Sequence, residues 1–129
     1  MNTPREIHAL IVEKDEKVAE AVQEILRHRH YSITLLSKKA DAIRLLKERD
    51  ISLVIAGEAA DSDSPFHIMK EIVMTSPMTS VILITDLPKQ EVEDTAEGYG
   101  ILGHTDRSVK SEEMIPLLAS FEKILGAFR

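Results

Sequence analysis

Four short runs of almost unbroken apolar residues recur along the chain: HALIV at 8–12, YSITLL at 31–36, ISLVIA at 51–56 and SVILIT at 80–85. A weaker fifth, GILGH, follows at 100–104. A strand with one wet face alternates apolar and polar residues, whereas continuity of this kind is what a parallel sheet covered on both faces demands. Between the runs, apolar residues return at helical spacing: Val18, Ala21, Val22, Ile25 and Leu26, then Ile43 with Leu46, then Met69 with Ile72 and Val73. The period switches from strand to helix five times. That pattern predicts an α/β chain of the (βα)5 type. With right-handed crossovers it forms a doubly wound, five-stranded parallel sheet in the order 2-1-3-4-5.

Start signals divide the chain in the same way. Asp15 is placed to cap the first helix, Ser37 the second and Ser64 the third, with Pro65 at the first helical position. The fourth helix, around PKQEVEDTAEGY, offers only Val92, Ala96 and a flanking Leu87 or Tyr99, which predicts shallow packing and mobility. In the fifth, Leu118, Phe121, Leu125 and Phe128 share one line with Leu117 and Ile124 beside it, a stripe wider than one sheet face requires. Pro116 is tolerable in that helix only if it falls in the first turn, where its missing N–H removes no bond.

Composition narrows the function classes. With 129 residues and 43% hydrophobic content, the chain is expected to form one domain over 1–129. Its formal net charge of -6 argues against nucleic acid as a partner, because phosphate binding needs a clustered positive surface. No run is long enough for a membrane span, the N-terminus lacks the order of a signal peptide, and there are no cysteines, so a cytoplasmic location is expected. No nucleophile and base stand at a recognisable spacing and no glycine-rich phosphate loop is present, so neither enzymatic activity nor a cofactor is expected.

In a doubly wound sheet the functional crevice opens at the carboxyl ends of the strands, where the connections of strands 1 and 3 diverge. That crevice is expected to collect Glu13, Lys14 and Asp15, then Gly57 and Glu58, then Thr85 and Asp86, with Arg107 from the loop after strand 5. The stretches LIVEKDEKV, SLVIAGE and VILITD, in this register, resemble the receiver domains of bacterial two-component response regulators over residues 7 to 125, nearly the whole chain. The resemblance implies a flavodoxin-like receiver fold. It also implies an acidic pair after strand 1 that helps hold Mg²⁺, a phosphoacceptor aspartate after strand 3, Thr or Ser after strand 4, and Lys-Pro after strand 5.

Carried over residue by residue, the pattern is incomplete. Glu13 matches the first acidic position, but Lys14 falls on the second and Gly57 on the phosphoacceptor. Thr85 matches the switch hydroxyl, His104 sits where an aromatic switch is usual, Arg107-Ser108 replaces Lys-Pro, and Asp61 takes the place of a loop proline. Phosphoryl transfer needs a carboxylate nucleophile in line with the donor, and glycine has no side chain. Mg²⁺ wants oxygen ligands in octahedral array, and an ammonium beside it repels a dication. The expectation is therefore a pseudo-receiver with no metal, in which Lys14 takes the ion's electrostatic role by pairing with Glu13, Asp15 or Glu58. Gly57 otherwise suits a tight turn or a positive φ.

Such a domain is expected to act by binding a protein, a signalling partner or an output domain. The family's face of helix 4, strand 5 and helix 5 is the implied surface, and a homodimer through it is open. Ile115, Leu118, Phe121 and Phe128 are the candidate contacts, with Tyr99 and His104 at the edge. Two other readings stay open. One is an atypical acceptor, Glu58 or Asp61, with Asp63 in the same acidic loop; that loop also reads as solvated and helix-capping. The other is a sensor holding a small anion among Lys14, Thr85 and Arg107. RHRHY at 27–31 reads as a cationic helix end rather than a ligand cluster. Thr85 reads as a β-branched strand end more than a working switch, and His104 as a surface residue more than a pH sensor.

Overall fold

Strands and helices alternate strictly in the computed structural model, which describes residues 7–127. The order is β1 (Ile7–Val12), α1 (Glu16–Arg27), β2 (Tyr31–Leu36), α2 (Lys39–Glu48), β3 (Leu53–Ala56), α3 (Pro65–Thr75), β4 (Ser80–Ile84), α4 (Lys89–Ala96), β5 (Gly103–Thr105) and α5 (Ser111–Ala127). The strands form one parallel sheet in the order β2-β1-β3-β4-β5, as the apolar runs imply. Every residue of β3 is buried, whereas β2 at the edge is mostly half-buried.

Alternation along the strands feeds two cores. Leu10, Val12, Val54, Ala56, Val81 and Leu83 pack with Ala42, Leu46, Ile68, Met69, Ile72, Val92 and Ala96, so α2, α3 and α4 cover one face. Ala9, Ile11, Leu53, Ile55, Ile82 and Ile84 pack with Val22, Leu26, Met114, Leu118 and Phe121, so α1 and α5 cover the other. Each Leu or Ile withdrawn from water in this way contributes about 1.5–3 kcal/mol.

The caps on α1 and α3 are those read from the sequence. Asp15 accepts from the N–H groups of Lys17 and Val18, and Ser64 accepts from that of Phe66 with Pro65 following. Ser37 does not cap α2, because the helix begins one residue too late for it. Lys38 stands at the N-cap with no side-chain bond, and Asp61 reaches in from the β3–α3 loop, accepting from Lys39 at 2.6 Å and Ala40 at 3.1 Å. Those two N–H bonds hold the Asp61 carboxyl below its ordinary value.

Other boundaries move for local reasons. β3 begins at Leu53 rather than Ile51, and β5 occupies 103–105 rather than 100–104. Gly98 and Gly100 both take positive φ after α4, a turn that side chains rarely allow, and it uses up residues otherwise available to the strand. Pro116 lies in the second turn of α5, not the first. It leaves the Glu112 carbonyl without an i+4 donor, at a point of the helix where both residues are exposed.

The cationic end of α1 is structural. Arg27 pairs with Glu20 and Glu24, while Arg29 and the Tyr31 hydroxyl both donate to Glu122 on α5, at 2.6–3.0 Å. Tyr31 also stacks on Phe121, with ring centroids 6.4 Å apart. Burial pushes the Glu122 carboxyl up, but the hydrogen bonds from Arg29 and Tyr31 outweigh it, and the carboxyl sits below its ordinary 4.5. Burial, reinforced by Glu122, pushes the Tyr31 hydroxyl up, so it stays a donor. Because its folded value is depressed, Glu122 contributes its full stability above the ordinary value and loses it as pH falls through the folded one. Glu122→Gln is therefore expected to cost about 1–2 kcal/mol in urea unfolding at about pH 7 and much less at about pH 3.

Candidate functional site

The crevice lies at the carboxyl ends of the five strands. Backbone bonds join them: the N–H of Glu13 donates to Leu36, that of Gly57 to Val12, that of Lys14 to Glu58, and that of Thr85 to Thr105, all at 2.8–3.0 Å. Parallel pairing thus brings residues 13, 57, 85 and 107 to one end of the sheet, as the register predicts.

At its centre is a buried ion pair. Glu13 is 3% exposed. One of its carboxylate oxygens accepts from the Glu58 N–H at 3.0 Å and from Arg107 at 2.9 Å; the other accepts from the Asp15 N–H at 2.8 Å and from Arg107 at 3.0 Å. The guanidinium meets the carboxylate fork to fork, the strongest geometry such a pair takes. Its second amine lies 3.4 Å from the Glu58 carboxylate. Hydrogen bonding to Glu13 holds Arg107 further toward its charged form than usual, against the opposing effect of burial.

Arg107, not Lys14, is the internal cation. Lys14 is exposed, and no side-chain ion pair or hydrogen bond of it occurs among the described residues. The physical reason is reach and direction: the chain leaves β1 at Glu13 with its carboxylate facing inward, so the next side chain turns out to water. The signal for Arg107 was present in the sequence, since arginine offers the planar fork that a buried carboxylate needs and lysine does not.

Gly57 also has a different role from the one expected. It is not among the positive-φ glycines. Instead, a Cβ on residue 57 would overlap the Glu13 carboxylate oxygen that Arg107 and Glu58 hold, and would lie 3.2 Å from Arg107 itself. Glu13 thus fills the space that a side chain at residue 57 would enter.

The remaining residues are not drawn into this pair. Thr85 is buried, and its hydroxyl accepts from the Leu87 N–H at 3.2 Å, turning the chain into the β4–α4 loop. Asp86 accepts from the Arg107 N–H at 2.9 Å and ties that loop to the one after β5. Of the three residues read as an anion site, Lys14 is exposed, the Thr85 hydroxyl is bonded to the Leu87 N–H and the Arg107 guanidinium is engaged by Glu13. Asp61 is committed to capping α2, and Asp63 is exposed.

On the expected interaction face, Leu118 and Phe121 are corrected to core residues, at 0% and 2% exposure, because the inner line of α5 is the one that covers β1, β3 and β4. Ile115, by contrast, is 40% exposed. Tyr99 is half-buried against the α3 side, with the Lys70 ammonium 5.8 Å from its ring centre. His104 is half-buried on β5, opposite Leu83, and Phe128 lies outside the described residues.

This sheet order, with its helices on both faces and an acidic crevice at the strand ends, is the receiver fold. The signal receiver domain of an HD domain-containing protein from Pseudomonas fluorescens Pf-5 superposes with a TM-score of 0.84 at 21% identity, over 100% of this chain and 96% of that one. A CheY-like response regulator receiver domain protein from Methanospirillum hungatei JF-1 gives 0.79 at 12% identity, over 92% and 96%. Among curated proteins, the chain is 30% identical over 118 residues to the uncharacterized transcriptional regulatory protein YkoG of Bacillus subtilis (strain 168), covering 92% of this chain. It spans 50% of that relative's length. No protein-family model matches.

The Mg²⁺ that the receiver resemblance implies does not fit these residues. Both oxygens of Glu13 are taken by donors, residue 14 is lysine and residue 57 has no side chain. Among the described residues no three acidic, histidine or cysteine side chains come together to hold a metal ion, and no helix is long and apolar enough to cross a membrane.

Proposed function

We propose that this domain is a pseudo-receiver: a cytoplasmic signalling module of receiver fold that is not phosphorylated at the usual position and acts by binding another protein. The observation that carries this reading is the Glu13 carboxylate, clamped by Arg107 in the space beside Gly57 where an acceptor side chain would stand. An arginine fork already supplies the positive charge that a metal ion would bring, so the crevice is neutralised from within. The partner is a signalling protein or an output domain, and the surface is the α4-β5-α5 face, where Ile115 and His104 remain accessible. Homology to a transcriptional regulatory protein twice as long is consistent with an output domain as partner. A catalytic role finds no support in a site whose one buried carboxylate is fully hydrogen-bonded.

The test is intact-mass analysis after incubation with acetyl phosphate and Mg²⁺, with amide-shift titration by beryllofluoride alongside. The expected result is no phosphoryl adduct and no shift at residues 13, 57 or 107. A stoichiometric adduct overturns the reading, and mapping it to Glu58 establishes an atypical acceptor in its place.

A further inference from the structure

The connection from β5 to α5 carries the one conformational outlier in the crevice. Val109 has φ of +50°, left-handed backbone that a β-branched residue avoids, and its side chain is 7% exposed within the core shared by α1 and α5. The segment before it is anchored at both ends. The Arg107 side chain is clamped on Glu13 and its N–H on Asp86, while Asp106 accepts from the N–H and hydroxyl of Ser108, and the Val109 N–H returns to the Asp106 carbonyl at 3.2 Å. Directly after it, the Lys110 carbonyl accepts from Glu113 and Met114, the opening bonds of α5 at 3.0 Å. Val109 also lines, with Ala21, Ile25, Ser111 and Ile115 and with the polar Glu24, His28 and Arg29 toward the end of α1, a groove of about 480 Å³ between α1 and α5.

We propose that Arg107 is a clasp: by gripping Glu13 it holds Val109 in its left-handed conformation, and so sets the first turn of α5 and the wall of the α1–α5 groove. A backbone state that valine avoids persists only when its surroundings over-determine it. The grip on Glu13 is the long-range restraint that the Arg107 side chain supplies; the Arg107 N–H bond to Asp86 and the burial of Val109 in the core act beside it, while the Asp106–Ser108 bonds lie within the same turn. Release at the crevice lets residue 109 return to an extended conformation, carrying Lys110 and the groove wall with it. The inference does not depend on whether the domain is phosphorylated, because it concerns only the coupling of two places on the domain.

Residue-resolved hydrogen exchange tests it. Glu13→Gln with Arg107→Gln removes the grip without stranding a charge, and Arg107→Lys, which keeps the charge but not the fork, is the milder companion. With Val109 present, the double change is expected to speed exchange at the Glu113 and Met114 amides about tenfold, and Arg107→Lys by less, with Leu10 and Ile55 unchanged. With Val109→Gly added, the same changes are expected to have about a twofold effect or less, since glycine takes positive φ freely. Unchanged α5 amides, equal acceleration in both backgrounds, or a rise matched at Leu10 and Ile55 overturns the proposal.

Discussion

Arg107→Gln is expected to lower the unfolding free energy by about 3–5 kcal/mol, because it leaves the buried Glu13 carboxylate without its counter-charge. At 14% and 1% side-chain exposure for Arg107 and Glu13, water cannot take over the pairing as it does at a surface bridge. Two backbone N–H donors, from Asp15 and Glu58, would remain on the carboxylate, and they soften the loss without neutralising the charge. Denaturant unfolding should show a lower midpoint at unchanged slope. The partner change Glu13→Gln keeps the shape and removes the charge, so Glu13→Gln with Arg107→Gln should recover much of the loss. A double-mutant cycle that shows no coupling between the two positions would contradict this account of the crevice.

Placing an aspartate at residue 57 is expected to leave the domain unphosphorylated. Gly57→Asp places a Cβ where the Glu13 oxygen sits and adds a second carboxylate beside it, at an expected cost of about 2–4 kcal/mol. Thermal melts should show the domain weakened, and incubation with acetyl phosphate and Mg²⁺ should leave its mass unchanged. Gly57→Ala separates the two causes, since it keeps the overlap and omits the charge, and is expected to cost about 1–3 kcal/mol. Glu13 is tied by four hydrogen bonds and does not swing aside readily. Acceptance of phosphate by the single variant would show that a carboxylate at residue 57 is sufficient and would contradict this account of the overlap with Glu13. The expected requirement is a combined change, with Lys14→Asp and Arg107→Lys joining Gly57→Asp, so that the crevice is emptied of its internal cation before an acceptor is placed in it.

The architecture was legible because it depends on near-neighbour patterning. Runs such as LVIA at 53–56 are apolar at every position and so must be buried on both faces, and Asp15 and Ser64 cap helices two and three residues away. Where a local signal was outvoted by a distant group, the reading shifted. Ser37 lost α2 to Asp61, which lies more than twenty positions further along the chain. Gly98 and Gly100 moved β5 by spending residues on a turn. Leu118 and Phe121 turned inward because α1 and α5 together cover one face of the sheet, and which line of a wide apolar stripe meets that face is set by the packing, not by spacing along the helix.

For the site, the sequence alone determined which residues reach the crevice: parallel strands of known order bring their carboxyl ends together, and residue identity at 13, 57, 85 and 107 follows. That residue 57 has no side chain to phosphorylate was equally plain. Only the tertiary structure decided which cation answers Glu13, because Lys14 and Arg107 are separated by 93 positions and both carry the right charge. The choice rests on direction and desolvation. Lys14 is adjacent in the chain but faces water, whereas Arg107 arrives from across the sheet with a planar fork that satisfies both oxygens of a carboxylate withdrawn from solvent.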